Sequence, residues 1–172
     1  YADGTGGYEN CKPVILQGHL DMVCEKRADC NKNMENEAID LRTDGVWVWA
    51  EGTPLGGDDG IAVAYALALL DSDEIPHPAI ECLFTSDEEI GLIGASATDP
   101  EWLDGRVMIN IDSDEEGIFT AGCAGGARVD ISMPVKVKTH IGRIFTLTIS
   151  GFKGGHSGVE IDKNRANAIK VA

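Results

Sequence analysis

Four short stretches place acidic residues where they could do chemistry: Gly18-His19-Leu20-Asp21, Gly56-Gly57-Asp58-Asp59-Gly60, Asp87-Glu88-Glu89 and Asp112-Ser113-Asp114. His19 and Asp21 stand two residues apart after the apolar run Pro13-Val14-Ile15-Leu16. On a strand their side chains point the same way and can touch or serve one site. The triplet at 87–89 follows Cys82-Leu83-Phe84-Thr85, and Asp112 follows Met108-Ile109-Asn110-Ile111. If these ends converge, one crevice holds an imidazole and several carboxylates, which is costly without compensating cations. Two divalent ions would compensate, each taking about three protein ligands, with one carboxylate bridging and a free acid/base group left beside a water. His, Asp and Glu without Cys suit zinc, manganese or cobalt in a catalytic role.

Each cluster also has an ordinary structural explanation. Asp58 or Asp59 would cap the helix that follows the glycine-rich turn, and the 87–89 triplet would be a solvated strand end. Glu115 and Glu116 read as solvated. Other chemistries fit less well. The run from Asp112 begins like a calcium loop, but Cys123 stands where its bidentate Glu is required. Gly155-His156-Ser157-Gly158 has Val159 in place of the last glycine of a nucleophile elbow. The glycines at 56, 57 and 60 lack the Gly-Lys-Ser/Thr of a phosphate loop, and the neighbouring aspartates would repel a phosphate.

The elements that must position these groups alternate between the two periods. Strands are predicted at Lys12 to Gln17, Val46 to Ala50, Pro78 to Thr85 and Val107 to Ile111. Ile61 to Leu70 is apolar almost all round and reads as a buried helix, with a short helix at Leu92 to Ala97. This alternation predicts an α/β fold with a mixed, partly parallel sheet flanked by helices, whose ligand crevice lies beyond the carboxyl ends of the strands. From Ala127 the pattern changes: Val129 to Met133 and Phe145 to Ile149 alternate as half-exposed antiparallel strands do, and Asp162 would cap a helix through Arg165, Ala168 and Ile169. The domains expected are 1–126, carrying the acidic clusters, and 127–172, the start of a second domain of α+β type.

With 172 residues, 43% of them hydrophobic, the chain supports one ordinary core. Its 29 acidic against 14 basic residues give a net charge of -15, which disfavours nucleic acid and anionic membranes as partners and suits cations. No apolar run approaches the roughly 20 residues of a membrane span. Five cysteines without a C-x-x-C pair indicate neither a disulfide framework nor a zinc ribbon, and fit a reducing cytoplasm. The start at Tyr1 and the end at Ala172 read as those of an internal piece of a longer protein.

Taken in order, GHLDMV, GTPLGGDDGIAVAYALALL, FTSDEEIGLIGA, NIDSDEEGIFTAGCAGG and GFKGGHSGVEI resemble the M20 family of dinuclear metallopeptidases, most closely its cytosolic aminoacyl-histidine dipeptidases. The resemblance runs through nearly the whole chain. It implies a zinc-peptidase-like catalytic domain followed by a lid domain, through which members often form homodimers. It also implies two divalent ions, zinc with cobalt or manganese as alternatives, and a small peptide substrate. His19, Asp58 and Asp112 would hold one metal, with Asp58 bridging to a second held also by Glu89. Glu88 would be the general base, taking a proton from the attacking water and returning it to the leaving amine. The Asp21 carboxylate would accept the other ring proton of His19 and fix its tautomer. His156 would be the lid histidine that stabilises the tetrahedral oxyanion, although a His in a glycine-rich loop is equally an ordinary surface residue.

Two departures accompany the resemblance. The family's second metal takes another His, from near the C-terminus, and His77 and His140 read as loop residues instead. The groups that recognise the substrate carboxylate have no counterpart either, so this chain by itself is expected to bind metal poorly and to turn over little. An aminoacylase, deacetylase or tripeptidase on the same scaffold is the alternative enzyme. A catalytically silent metal-binding domain is the alternative outside catalysis, and the presence of Glu88 speaks against it.

Overall fold

The computed structural model describes every residue except Asp114, Ala124, Gly126, Arg128 and Ser157-Gly158-Val159. Parts of three sequence features therefore lie outside the described residues: the fourth acidic cluster, the glycine-rich stretch 121–126 and the GHSGV motif. The chain divides into two compact units, Tyr1–Ala121 and Gly122–Ala172.

The first unit is built on three parallel strands, β1 (Val14–His19), β4 (Ile80–Thr85) and β5 (Val107–Asn110), in the order β4-β1-β5. A separate antiparallel hairpin, β2 (Leu41–Thr43) with β3 (Val48–Ala50), lies between β1 and the first helix in sequence. Among the described residues the main sheet has antiparallel character at its outer edge, where Ala2 bridges Ile80. In β1, Val14, Leu16 and Gly18 form one face and Ile15, Gln17 and His19 the other, as the two-residue period of a strand requires. Register aligns His19 with Thr85 and Gln17 with both Leu83 and Asn110. The carboxyl ends of all three strands thus lie together, and they bring His19, the 87–89 triplet and Asp112 to one edge of the sheet. Because β1 sits between the other two, the chain leaves it to one side for β4 and crosses back to the other for β5. This reversal of direction is what opens a crevice at the strand ends in such sheets.

Helix α1 (Gly57–Asp71) packs on the face carrying Leu16. Ala66 is fully buried there against Leu16 and Ile80, with Leu69, Cys82 and Phe84 around them, and Ala62 is buried one turn earlier. Small side chains four apart let the helix axis approach the sheet closely. The expected all-round burial does not hold, since Ile61, Tyr65 and Leu67 are exposed. Only one face of α1 meets a sheet among the described residues, the face of Ala62 and Ala66, while Ala64 and Ala68 are exposed. Helix α2 (Ile93–Ala97) and a 3-10 turn at Pro100–Trp102 complete the crossover to β5.

The second unit departs from expectation. Neither 129–133 nor 145–149 forms a strand, and Val129, Ile131, Phe145 and Leu147 are exposed. Alternation marks a strand only when a partner strand accepts its hydrogen bonds and a core its apolar face, and the described residues provide neither here. Asp162 lies inside a 3-10 turn, Ile161–Lys163, and caps no helix. The cap is Asn167, whose side chain accepts the N–H groups of Ile169 and Lys170 at the start of α3 (Ala168–Val171). His77 is in a loop, as expected, but it is buried, with Nδ1 2.7 Å from the Pro78 carbonyl.

Candidate functional site

His19 ends β1 with its ring 1% exposed. Its Nδ1 lies 2.9 Å from the backbone carbonyl of Asp21, and its Nε2 lies 2.8 Å from Asp58 Oδ1. A carbonyl oxygen can only accept, so Nδ1 carries the proton. The neutral ring therefore turns the lone pair of Nε2 toward Asp58, and the protonated ring donates to it. Burial disfavours the charged ring, but the Asp58 hydrogen bond, the Asp21 carbonyl and the charges of Asp58 and Asp112 outweigh it and raise the His19 pKa.

The Asp21 carboxylate, expected to accept the other ring proton of His19, is not the nearest acceptor to Nδ1. The group that orients the ring is the Asp21 carbonyl, while the nearer carboxylate oxygen is 3.5 Å from Nδ1. That carboxylate accepts the backbone N–H groups of Glu88 at 3.0 Å and Glu89 at 3.1 Å, one on each oxygen. Burial raises its pKa, yet these two N–H donors prevail and hold it below the ordinary carboxylate value. One residue thus sets the imidazole with its main chain and the acidic turn with its side chain.

The turn so held starts at Asp87, whose φ of 56° is left-handed, and is closed by hydrogen bonds from the Gly91 and Leu92 N–H groups to the Glu88 carbonyl. It brings Glu88 Oε2 to 4.0 Å from His19 Nε2. Burial, the largest influence, pushes the Glu88 carboxyl up; the nearby Asp112, Glu89 and Asp58 add to this against the opposing pull of His19. One ligand atom each from His19, Asp58 and Glu89 lie within 4.8 Å of one another, a spacing and donor set suited to a single divalent ion. Asp112 lines the same cavity of about 380 Å³ as His19 and Glu88, and its N–H donates to Asn110 Oδ1. His156 belongs to the second unit, where its N–H donates to Glu160 Oε2. Glu160 also binds Arg165 and Lys163, which hold its carboxyl down at about 2.

Asp58 enters from the start of α1. Gly56 precedes it at φ 83°, a left-handed conformation that favours glycine, and the Asp58–Asp59 peptide is cis. Asp58 is 66% exposed, but Asp59 turns inward and is buried; its Oδ2 accepts the His19 N–H at 3.2 Å. Burial pushes the Asp59 carboxyl up against the lowering pull of the His19 and Ala62 N–H groups. Sequence reasoning placed Asp59 in an acidic cluster or as a helix cap and gave it no role of its own at the site. The signal that could have found it is Gly18, a residue without a side chain between Gln17 and His19. A crevice beyond the strand ends was expected, and the cavity lined by His19 and Glu88 lies there. Its floor combines apolar side chains such as Leu83, Leu103 and Met108 with a polar row in which Gln17 meets Asn110 at 2.5 Å and Thr85 at 3.4 Å.

No protein-family model matches the chain. The cytosol non-specific dipeptidase of Escherichia coli (strain K12) is 43% identical over 175 residues, covering 97% of this chain and 35% of that protein. Protein YqjE of Bacillus subtilis (strain 168), an uncharacterized protein, is 33% identical over 169 residues, covering 96% of this chain and 38% of its own length. Among solved structures, the aminoacylhistidine dipeptidase from Vibrio alginolyticus is 46% identical with a TM-score of 0.62, over 67% of this chain and 24% of that one. Aminopeptidase PepT from Bacillus cereus is 28% identical with a TM-score of 0.50, over 66% of this chain and 28% of that one. This chain spans little more than a third of the length of these curated relatives.

Proposed function

The chain belongs to the family of the aminoacylhistidine dipeptidases, and on that premise we propose that it forms the metal-binding part of a dipeptidase that cleaves Xaa-His and other dipeptides. The observation that carries this reading is the approach of His19, Asp58 and Glu89 to within 4.8 Å of one another, with the Glu88 carboxylate 4.0 Å from His19 Nε2. His19, Asp58 and Glu89 lie together among the described residues; on the family resemblance His19, Asp58 and Asp112 would hold one divalent ion and Asp58 and Glu89 a second, with zinc, cobalt or manganese suited to such donors. When bound, such ions polarise the scissile carbonyl and make a water acidic enough to be deprotonated near neutral pH. Glu88 takes that proton and delivers it to the leaving amine. A carboxyl raised by burial is closer to the pKa that proton transfer in both directions requires.

The remaining groups position. The Asp21 carbonyl keeps the proton on Nδ1 so that Nε2 presents its lone pair to a metal, and the Asp21 carboxylate fixes the turn bearing Glu88 and Glu89. His156 is assigned to oxyanion stabilisation on the family resemblance. The test is hydrolysis of Ala-His, β-Ala-His and an N-acetyl amino acid, side by side, by the complete reading frame that encodes this chain. Cleavage of the histidine dipeptides, abolished by chelator and restored by zinc, cobalt or manganese, is expected. Turnover of the acetylated substrate alone would move the protein to the deacetylases, and metal binding without turnover would make it a silent domain.

A further inference from the structure

Asp59 has no part in the chemistry assigned above, yet it and His19 are each only 1% exposed. Its Oδ2 accepts the His19 N–H, and its Oδ1 is the one buried side-chain polar atom without a hydrogen-bond partner among the described residues. The space for this carboxyl exists because residue 18 lacks a side chain. A Cβ on Gly18 would lie 2.5 Å from Asp59 Oδ2 and 2.4 Å from the Ala62 methyl, distances that real Cβ atoms do not show. The carboxyl is therefore wedged between the last residues of β1 and the first turn of α1. It is hydrogen-bonded to one residue of the metal-binding set and next in the chain to another. Asp58 itself is two-thirds exposed, so packing of its own side chain does little to hold it.

We infer that Asp59 is a positioning residue for the metal site: without ligating metal, it binds the His19 main chain from its place beside Asp58 and thereby sets His19 Nε2 against Asp58 Oδ1. The inference rests on the metal-dependent reading above and deepens it. What the position needs is a hydrogen-bond acceptor of this size. Asparagine supplies one, leucine fills similar volume without one, and an outer partner of this kind is typically worth about 10–100-fold in metal affinity.

The test uses the complete reading frame, with the dissociation constant for zinc or manganese measured by chelator competition and the Tm of the metal-free protein measured alongside. Asp59→Leu is expected to weaken metal binding by about 10–100-fold. Asp59→Asn is expected to bind metal like wild type. Leu69→Ala, which damages the same core away from the site, should lower Tm and leave metal affinity alone. Wild-type affinity in Asp59→Leu would overturn the inference. So would equal losses in Asp59→Asn, which would point to charge, or in Leu69→Ala, which would point to general instability. If Asp59→Leu does not fold, Gly18→Ala takes its place, because its methyl invades the space of the carboxyl. A matching loss of affinity there supports the inference, and unchanged affinity overturns it. If the wild-type protein takes up no metal, the proposed function fails first and the inference falls with it, an outcome that the wild-type measurement alone identifies.

Discussion

At the scale of single residues, a His and an Asp two apart at a strand end were legible as neighbours, but the atoms that join them were not. Strand periodicity places both side chains on one side. It says nothing of whether the ring meets the carboxylate or the carbonyl, and the carbonyl takes the Nδ1 proton because the carboxylate is engaged by Glu88 and Glu89. Asp59 was legible as one of two adjacent acids near the site, but nothing in the string distinguishes an outward Asp58 from an inward Asp59. The pH dependence of Asp21 follows from its environment. Its pKa is lowered from 3.8, so the stabilisation it provides is complete above that value and disappears as pH falls through the lower folded one. Replacing it by Asn removes that dependence. Urea denaturation is expected to show wild type more stable than Asp21→Asn at neutral pH, with the gap closing on acidification; a gap that widens toward acid would contradict the clamp.

At the scale of elements, most strands and helices of the first unit were readable because each carries its own apolar run, but β2 was not expected and several ends were misplaced. Strand β1 runs on through Gly18 and His19, beyond the expected stop at Gln17, because β4 pairs with it all the way to Thr85. Which face of α1 is buried could not be read from a segment apolar on every side. The sheet takes the face of Ala62 and Ala66, whose small side chains allow close approach, while the equally small Ala64 and Ala68 are exposed. Ala66→Leu should therefore force α1 away from Leu16 and Ile80, with a loss of about 1–3 kcal/mol typical of overpacking. The urea midpoint reports this, and an unchanged midpoint would mean that the helix is not seated as described. The strands expected at 129–133 and 145–149 failed for the complementary reason: alternation alone does not provide a pairing partner.

At the scale of the whole molecule, parallel order with β1 in the middle gathers residues from positions 19 to 112 at one sheet edge, and this convergence is what makes separate acidic clusters into a site. The motifs were visible as motifs, and their order along the chain carried the family resemblance. Their distances needed the sheet. The role of His156 stays with the resemblance, because His156 belongs to the second compact unit. The claim at the centre of the proposed function is that Glu88 moves protons while other residues hold metal. Glu88→Gln in the complete reading frame tests it most directly, with metal content and Ala-His turnover measured on the same preparation. Metal content equal to wild type with turnover reduced by at least about 100-fold is expected; turnover at the wild-type rate would contradict the assignment.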